Sequence, residues 1–561
     1  MIAMRRRTLL GGAALAPLVG CTRGEPANYT GDWVGANASL GHRLRERKAA
    51  GVPAPEFTRR ASAIVVGAGI SGLAAARELT RAGIDDVRLL DLEDEPGGNS
   101  RGHQIAGMRC PLGAHYLPLP GERAVEVIAL LEALGVRRTE RGLAAGVNYD
   151  ERMLCHSPQE RLHIDGVWHD GLLPPIDALP QAERADTLVQ YRRFGAAVDS
   201  ASARGAFAMP TARSAWSANL DALDAVTFTA WLDAQRLTAP ALRWYLDYCC
   251  RDDYGAGAGQ VSAWAGLHYF ASRHGFHAPG DDGAKSADER DGVLTWPEGN
   301  AWLARQLAAP LRERTHVGRV VLRVVEGRDD VSVDLWNAQQ QRAERWTTPQ
   351  LVLAVPLFIA AQLFESPPAA LLHVAQAVPH APWLVGNLHL TDALDEHPGA
   401  PLSWDNVFYD PASRGSNAIP TLGYVDAMHQ STRSIPGPTV LTMYWALGGN
   451  TPAQLAAHRA RLLGEPWSAW SNAVVTELVR VHPDLPAKVK QVDLMRYGHA
   501  MSVPVPGLRS GAALRALAAP QPRVHFAHSD LSAYSVFEEA LYQGTRAGAA
   551  AARQLHWRNR R

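Results

Sequence analysis

AIVVGAGISGLAAARELTRAG, Ala63 to Gly83, decides how the chain is read. Its apolar run Ile64–Val66 predicts a short buried strand, Gly67-x-Gly69-x-x-Gly72 a tight turn, and Ala74–Thr80 a helix that Gly83 terminates. In such a loop the first glycine makes the turn, the second lets the backbone approach a pyrophosphate, and the third lets the helix pack on the strand. The bare N–H groups of the helix start, around Ile70 and Ser71, then face the anion. The next apolar run, Val87–Leu90, ends in Asp91, 19 residues after Gly72. An acid there accepts from a ribose hydroxyl and repels a 2′-phosphate, which argues against NADP.

Further stretches separate FAD from NAD. Asp91 is followed, after Leu-Glu-Asp-Glu-Pro, by Gly97-Gly98-Asn99-Ser100-Arg101, and then by Leu112-Gly113-Ala114-His115. Far downstream come Leu294-Thr295-Trp296-Pro297-Glu298-Gly299-Asn300, Val317-Gly318-Arg319-Val320 and LVLAVPL, Leu351–Leu357. Near the end, Val524-His525-Phe526-Ala527-His528-Ser529-Asp530 reads as a strand ending in an acid, followed by Phe537-Glu538-Glu539-Ala540 and Gly544-Thr545-Arg546-Ala547. In this order they resemble the FAD-dependent amine oxidase superfamily, the flavin-containing amine oxidases and phytoene-desaturase-like oxidoreductases. The resemblance implies FAD as cofactor. Gly97, Gly98, Asn99, Ser100 and Arg101 would form the second phosphate-contacting segment and Val320 would lie on the adenine-side strand. Asp530 would bind the ribityl or pyrophosphate region, and the helix opening at Phe537 would face the flavin ring.

The fold class that follows is α/β. A Rossmann-like FAD-binding domain would be assembled from three segments, about 59–120, 290–365 and 515–561, with an inserted α+β substrate domain from 121–289 and 366–514. The first insert reads as helical, with apolar positions of Glu122–Leu134 on one face and similar stretches from Leu188 and Ala239. The second carries strand-like pieces, Leu384–Leu390 and Val440–Trp445. Gly280–Gly292 is rich in aspartate without the spacing of an EF-hand and reads as a solvated loop.

The chain also departs from the family pattern. Val536 stands where a cage tyrosine is expected, with Tyr534 close by, and Asn387 stands where the strand Trp383–Leu388 would carry a lysine. No cysteine lies near Met495–Ala500 to hold a flavin covalently, so noncovalent FAD is expected. Tyr497 and His499 belong to the segment whose family counterpart approaches the flavin; with Asn387 they are the catalytic candidates. Trp404-Asp405-Asn406 and His429-Gln430 are polar–aromatic clusters able to orient a ligand. Tyr248, Asp252, Asp253 and Tyr254 could meet a cationic amine, or belong to a surface loop. The expected reaction is hydride transfer from the carbon beside nitrogen of a small amine or polyamine to flavin N5, with O2 or another acceptor completing the cycle. The alternatives are a desaturase or isomerase acting on an apolar substrate, and a non-catalytic flavin-binding lipoprotein.

Composition narrows the classes. Lysine and arginine number 56 and aspartate and glutamate 56, so no electrostatic footprint for nucleic acid is present. Lysine occurs only at Lys48, Lys285, Lys488 and Lys490. No GxSxG, HExxH or Walker loop points to a hydrolase, metalloprotease or NTPase, and no cysteine spacing points to a metal. Cys110, Cys155, Cys249 and Cys250 read as small buried hydrophobes. At the N-terminus, Arg5-Arg6-Arg7-Thr8-Leu9-Leu10 resembles a twin-arginine export signal and Leu18-Val19-Gly20-Cys21 a bacterial lipobox. That reading makes 1–20 a signal peptide and 21–58 a partly ordered tether, and places the protein in the periplasm, anchored to a membrane through lipid on Cys21.

Overall fold

The computed structural model describes residues 29–140, 146–202, 205–273, 275–280, 292–410, 419–431, 433 and 435–559. The expected signal peptide, Cys21, and nearly all of the aspartate-rich stretch after Gly280 lie outside these residues.

Ala63–Val66, fully buried, is the centre of a five-stranded parallel sheet. Across the sheet the strands run Thr315–His316, Val87–Leu90, Ala63–Val66, Leu351–Leu353, Val524–Phe526. Numbered along the chain this is the order 3-2-1-4-5 of a doubly wound nucleotide-binding sheet, assembled from three distant stretches of sequence. Helix Ile70–Arg81 buries Leu73, Ala75, Ala76 and Leu79, and the C-terminal helix Phe537–Asn559 packs along it. Ligands of such sheets bind beyond the carboxyl ends of the strands where the strand order reverses. At that edge sit Gly67, Asp91, Ala354 and Ala527, each the first residue after its strand.

The second sheet has seven strands and is antiparallel except for one pair: Val167–Asp170, Glu160–Ile164, Asp405–Phe408, Tyr424–Asp426, Thr439–Ala446, His380–Leu390, Val489–Ser502. Strand His380–Leu390 is buried almost throughout because both its faces are covered. Leu384, Leu388 and Leu390 pack under helices Pro452–Gly464 and Trp467–Val479, in a core with Leu462 and Trp470. Ala381, Trp383 and Val385 alternate to the opposite face. That face meets a helical layer that includes Gln181–Ser202, Pro240–Tyr254 and Ala263–Ala271, whose Phe194, Phe270 and Phe276 interlock edge to face at 4.9–5.7 Å.

Two sequence expectations are corrected. The first insert is not only helical, since Glu160–Ile164 and Val167–Asp170 form a hairpin that joins the large sheet. Its turn is Asp165-Gly166, both with positive φ, the sequence signature of a two-residue hairpin. The second correction concerns the tether, which is packed from Tyr29 onward. Thr30 and Trp33 bridge to Gln491 and Leu494, and helix Ala38–Ala50 lies on strand Arg319–Glu326 with Arg43 over the Trp336 ring at 4.4 Å. An arginine-rich stretch reads as solvated by composition, but here the guanidinium groups stack on an aromatic ring and meet the carbonyls of Leu322 and Gln362. Among the described residues no helix is long and apolar enough to cross a membrane.

Candidate active site

One long cleft runs from the carboxyl edge of the parallel sheet to the face of the large sheet, with about 1610 Å³ of free space, mouth included. Gly67, Gly69, Ile70, Ser71 and Asp91 line one end, and Gly97, Gly98, Asn99 and Ser100 continue it. The start of helix Ile70–Arg81 has no side-chain cap, so its first N–H groups are left for an anion. Gly69 and Gly97 bridge backbone to backbone, and a Cβ on Gly98 would stand 3.1 Å from the Gly69 Cα. The two glycine segments therefore form one wall that only bare backbone can build. Asp91 accepts N–H bonds from Ala68 and from Glu93 (2.8 Å), which fix its carboxylate at the cleft; burial raises its pKa. An uncapped helix start, a bare-backbone wall and a fixed acid suit the pyrophosphate and ribose of FAD.

The far end is aromatic and acidic. Trp383, Val385, Tyr444 and Tyr497 reach it from neighbouring strands, with Val385 registered opposite Tyr444 and Trp383 opposite Tyr497. Tyr444 and Tyr497 donate to the carbonyls of Gly113 and Leu112 at 3.0 and 2.9 Å. These bonds hold the segment carrying His115 and Tyr116 against the sheet. His115 stacks on Tyr444 at 4.2 Å, and burial lowers its pKa to about 3, so it is neutral. Tyr116 donates to Asp252 at 3.1 Å. Asp252 and Asp253 come from the last turn of helix Pro240–Tyr254, and Glu538 from the start of the C-terminal helix. Burial first, then the charge of Asp253, raises Asp252 to about 7, and burial raises Glu538 to about 7. Arg273 is the cation at this end, bidentate on Asp253 at 2.9 and 3.3 Å and donating to Tyr534 at 2.8 Å.

That ion pair is nearly buried, with side-chain exposures of 11% and 4%. Removing one partner strands the other charge, so Arg273→Ala is expected to cost about 3–5 kcal/mol in unfolding experiments. The double variant Arg273→Ala/Asp253→Asn should recover part of that loss.

The structure brings Tyr497 and His499 to the cleft, and burial, then nearby Arg459 and His380, lowers His499 to about 4. Phe537 lines it as well, as does Val536. Other expected residues stand elsewhere. Gly72 lies behind the loop, its Cα facing the Gly67 carbonyl. Asn387 is buried in its strand, donating to the Pro111 carbonyl (3.0 Å) and accepting from Thr442 (2.7 Å), and reaches no cleft surface. Arg101 turns away into a knot with Glu93, Asp94 and Glu95. Val320 is buried next to Arg319, whose N–H bonds the Asp91 carbonyl at 2.7 Å; it helps place the acid without facing the cleft. Asp530 sits one layer back: it bonds His380 (3.1 Å), pairs with His528 (3.2 Å) and accepts from the Leu357 N–H (2.9 Å), while His380 and His528 line the cleft. Burial opposes its charge, but the two histidines hold its pKa well below the usual value.

Asp252 and Asp253, open between amine contact and surface loop on sequence alone, lie on a helix at the cleft. His115, Tyr116, Arg273, Trp383 and Tyr444 were missed as site residues; His115 and Trp383 stood inside recognised motifs and Tyr444 inside an expected strand, while Tyr116 and Arg273 carried no local signal. Trp404 packs at 5.5 Å on His115, while His429 bonds the His156 carbonyl at 2.9 Å, away from the cleft.

The family model for flavin containing amine oxidoreductases matches residues 70–552. Polyamine oxidase 7 of Oryza sativa is 38% identical over 60 residues, 11% of this chain and 13% of that enzyme. The L-amino acid dehydrogenase of Synechocystis sp. is 23% identical over 306 residues, 54% of this chain and 58% of that enzyme. The chain thus aligns with only part of the length of these relatives. The solved cyclohexylamine oxidase of Brevibacterium oxydans superposes with a TM-score of 0.60 at 20% identity, covering 88% of this chain and 99% of that one. A two-ended cleft built for a flavin dinucleotide, within a chain matched by the family model over most of its length, has one reading: the protein is an FAD-dependent oxidoreductase and belongs to the flavin containing amine oxidoreductase family.

Proposed function

We propose that this oxidoreductase oxidises a small primary amine or polyamine at the carbon next to nitrogen. The observation that carries the proposal is the charge at the far end of the cleft: among the described residues Asp252, Asp253 and Glu538 line it with one arginine, Arg273, already bound to Asp253. With Asp253 neutralised by Arg273, Asp252 and Glu538 make the pocket acidic as they ionise from about pH 7 upward. The pocket, walled by Trp383, Tyr444, His115 and Tyr116, then attracts an ammonium ion and discriminates against a carboxylate or a neutral lipid. When bound, FAD would supply the two-electron acceptor for the hydride. The chain's own residues do the rest. Asp252, with a pKa of about 7, accepts the proton an ammonium must lose before its carbon can be oxidised. Tyr116 orients that carboxylate, and the neutral His115 adds no further cation beside Arg273. The aromatic walls exclude water and align the substrate carbon.

Anaerobic titration tests the proposal. Monoamines and polyamines should bleach the flavin band near about 450 nm, and readmitted air should restore it where O2 is the acceptor. Bleaching only by an apolar C–C substrate would move the assignment to a desaturase. A band that no substrate bleaches would support a non-catalytic flavin protein. We also propose export and lipid attachment at Cys21, supported by the Arg5–Leu10 and Leu18–Cys21 motifs; labelling of the processed N-terminus with a fatty acid would test it.

A further inference from the structure

A second cluster lies outside the cleft. His397 is in the loop between strands His380–Leu390 and Asp405–Phe408, His482 follows helix Trp467–Val479, and Asp484 precedes the short helix Leu485–Lys488. Their ligand atoms all lie within 4.8 Å of one another. His397 Nε2, His482 Nδ1 and Asp484 Oδ1 are each buried without a hydrogen-bond partner, and His482 has no solvent exposure. Three neighbouring ligand residues that each carry an orphaned buried polar atom are a rare arrangement, because each such atom costs about 1–3 kcal/mol when it is left unpaired.

We propose that His397 Nε2, His482 Nδ1 and Asp484 Oδ1 bind one divalent transition-metal ion, zinc by the chemistry of the donors. Two imidazoles and one carboxylate make a zinc-type set, unlike the all-oxygen shell that calcium or magnesium requires. A tetrahedral zinc with bonds of about 2.0–2.1 Å places its ligands about 3.3 Å apart, so closure needs only small rotations of partly exposed His397 and Asp484.

The surroundings prepare His482 and Asp484 for this. The opposite nitrogen of His482, Nε2, bonds the Tyr424 hydroxyl at 2.8 Å. That bond fixes the ring and leaves Nδ1 as the lone-pair atom when Nε2 carries the proton. Asp484 uses only Oδ2 for its protein partners, the Asp395 N–H (2.9 Å) and Lys488 Nζ (2.7 Å). Lys488 weakens the pull on a cation, but it is also shared with Asp395 at 2.6 Å. The other nearby cation, Arg161, is spent on Asn406 at 2.6 Å and the Ala400 carbonyl at 3.1 Å.

The site would act as a staple. Beside His397, the Pro398 carbonyl accepts from the Trp168 N–H (3.0 Å), and the Trp168 carbonyl accepts from the Ala400 N–H (2.8 Å). An ion would tie this loop to the helical segment behind the sheet. None of the three ligands lines the flavin cleft, so the inference is independent of the substrate proposed above.

The test uses the full-length flavoprotein, stripped with a chelator, reloaded with zinc chloride alone and desalted. Elemental analysis should find about one zinc per chain, and zinc should raise the melting temperature. His397→Ala, a partly exposed loop position, should keep its flavin spectrum, lose zinc affinity by at least about tenfold, and melt at the same temperature with and without zinc. Asp484→Asn should weaken zinc binding likewise. Cobalt should give the visible bands of a tetrahedral site in the wild type and not in His397→Ala. Zinc at background in the reloaded wild type, as when one trapped water satisfies the three atoms, would overturn the inference. So would zinc retained equally by His397→Ala, which would place the ion elsewhere.

Discussion

Gly72→Ala is expected to purify without flavin. A Cβ at this position would stand 1.7 Å from the Gly67 carbonyl oxygen, 2.9 Å from its carbon and 3.3 Å from the Ala354 Cβ. Neither side can yield. Gly67 makes the turn with φ of +96°, and Ala354 follows the neighbouring strand, whose residues are fully buried. The helix must then lift off the sheet, carrying with it Ile70 and Ser71, which line the cleft at the uncapped helix start. In an exposed helix the same substitution stabilises by about 1 kcal/mol, so a loss here has the opposite sign from intrinsic propensity. Gly464→Ala, at a helical glycine with no heavy atom within 4 Å of the added Cβ, is the control and should retain the cofactor. The ratio of absorbance near about 450 nm to that of the protein band reads both outcomes.

Gly72 also illustrates what the sequence can disclose. The glycine loop, the acid at Asp91 and the strand–helix closure of the chain are local patterns whose spacing follows from backbone geometry, so they were legible from residue order. Which layer a side chain enters was less so. Asp530 lies past the end of its strand Val524–Phe526, in the helical turn Ser529–Ser532, and His380, from 150 residues away, meets its carboxylate and stands between it and the cleft. Arg101 follows a phosphate-binding glycine pair, yet three acids within eight residues capture its guanidinium. Asn387 aligns with a catalytic position and even sits on the strand face of Trp383 and Val385, but Thr442 and Pro111 take up its amide. Each of these outcomes depends on a competing partner, and a motif does not name its competitors. The substrate end was hidden for the same reason. His115, Tyr444, Asp252 and Arg273 come from four distant elements and become a site only when the large sheet is laid against the helical layer. The packed segment from Tyr29 escaped notice because arginine counts as solvated in composition, whereas here it stacks on tryptophan.

Asp252→Asn should move stability and turnover in opposite directions. The carboxyl titrates near 3.8 when unfolded and at about 7 in the fold, raised by burial and then by Asp253. Between those values the folded chain retains a proton that the unfolded chain has released, so wild-type stability falls as pH rises through this window and levels off above pH 7. The gap corresponds to roughly 4 kcal/mol, reduced by the water that the cleft admits. Asparagine has no charge to desolvate and can still accept from Tyr116, so the substrate-free variant should melt higher than wild type at pH 8, with the advantage vanishing near pH 4. Amine oxidation should respond the other way. Losing a charge-assisted contact and a proton acceptor should lower kcat/KM for a small amine by about 10- to 100-fold at pH 8, and the rise in wild-type rate between pH 6 and pH 8 should flatten. Thermal melts and steady-state rates on the same preparations over that pH range decide the matter. A purely structural Asp252 predicts the melting shift with an unchanged pH–rate profile, whereas a proton-accepting one predicts both changes, because the charge that burdens the empty fold is the charge an incoming ammonium neutralises.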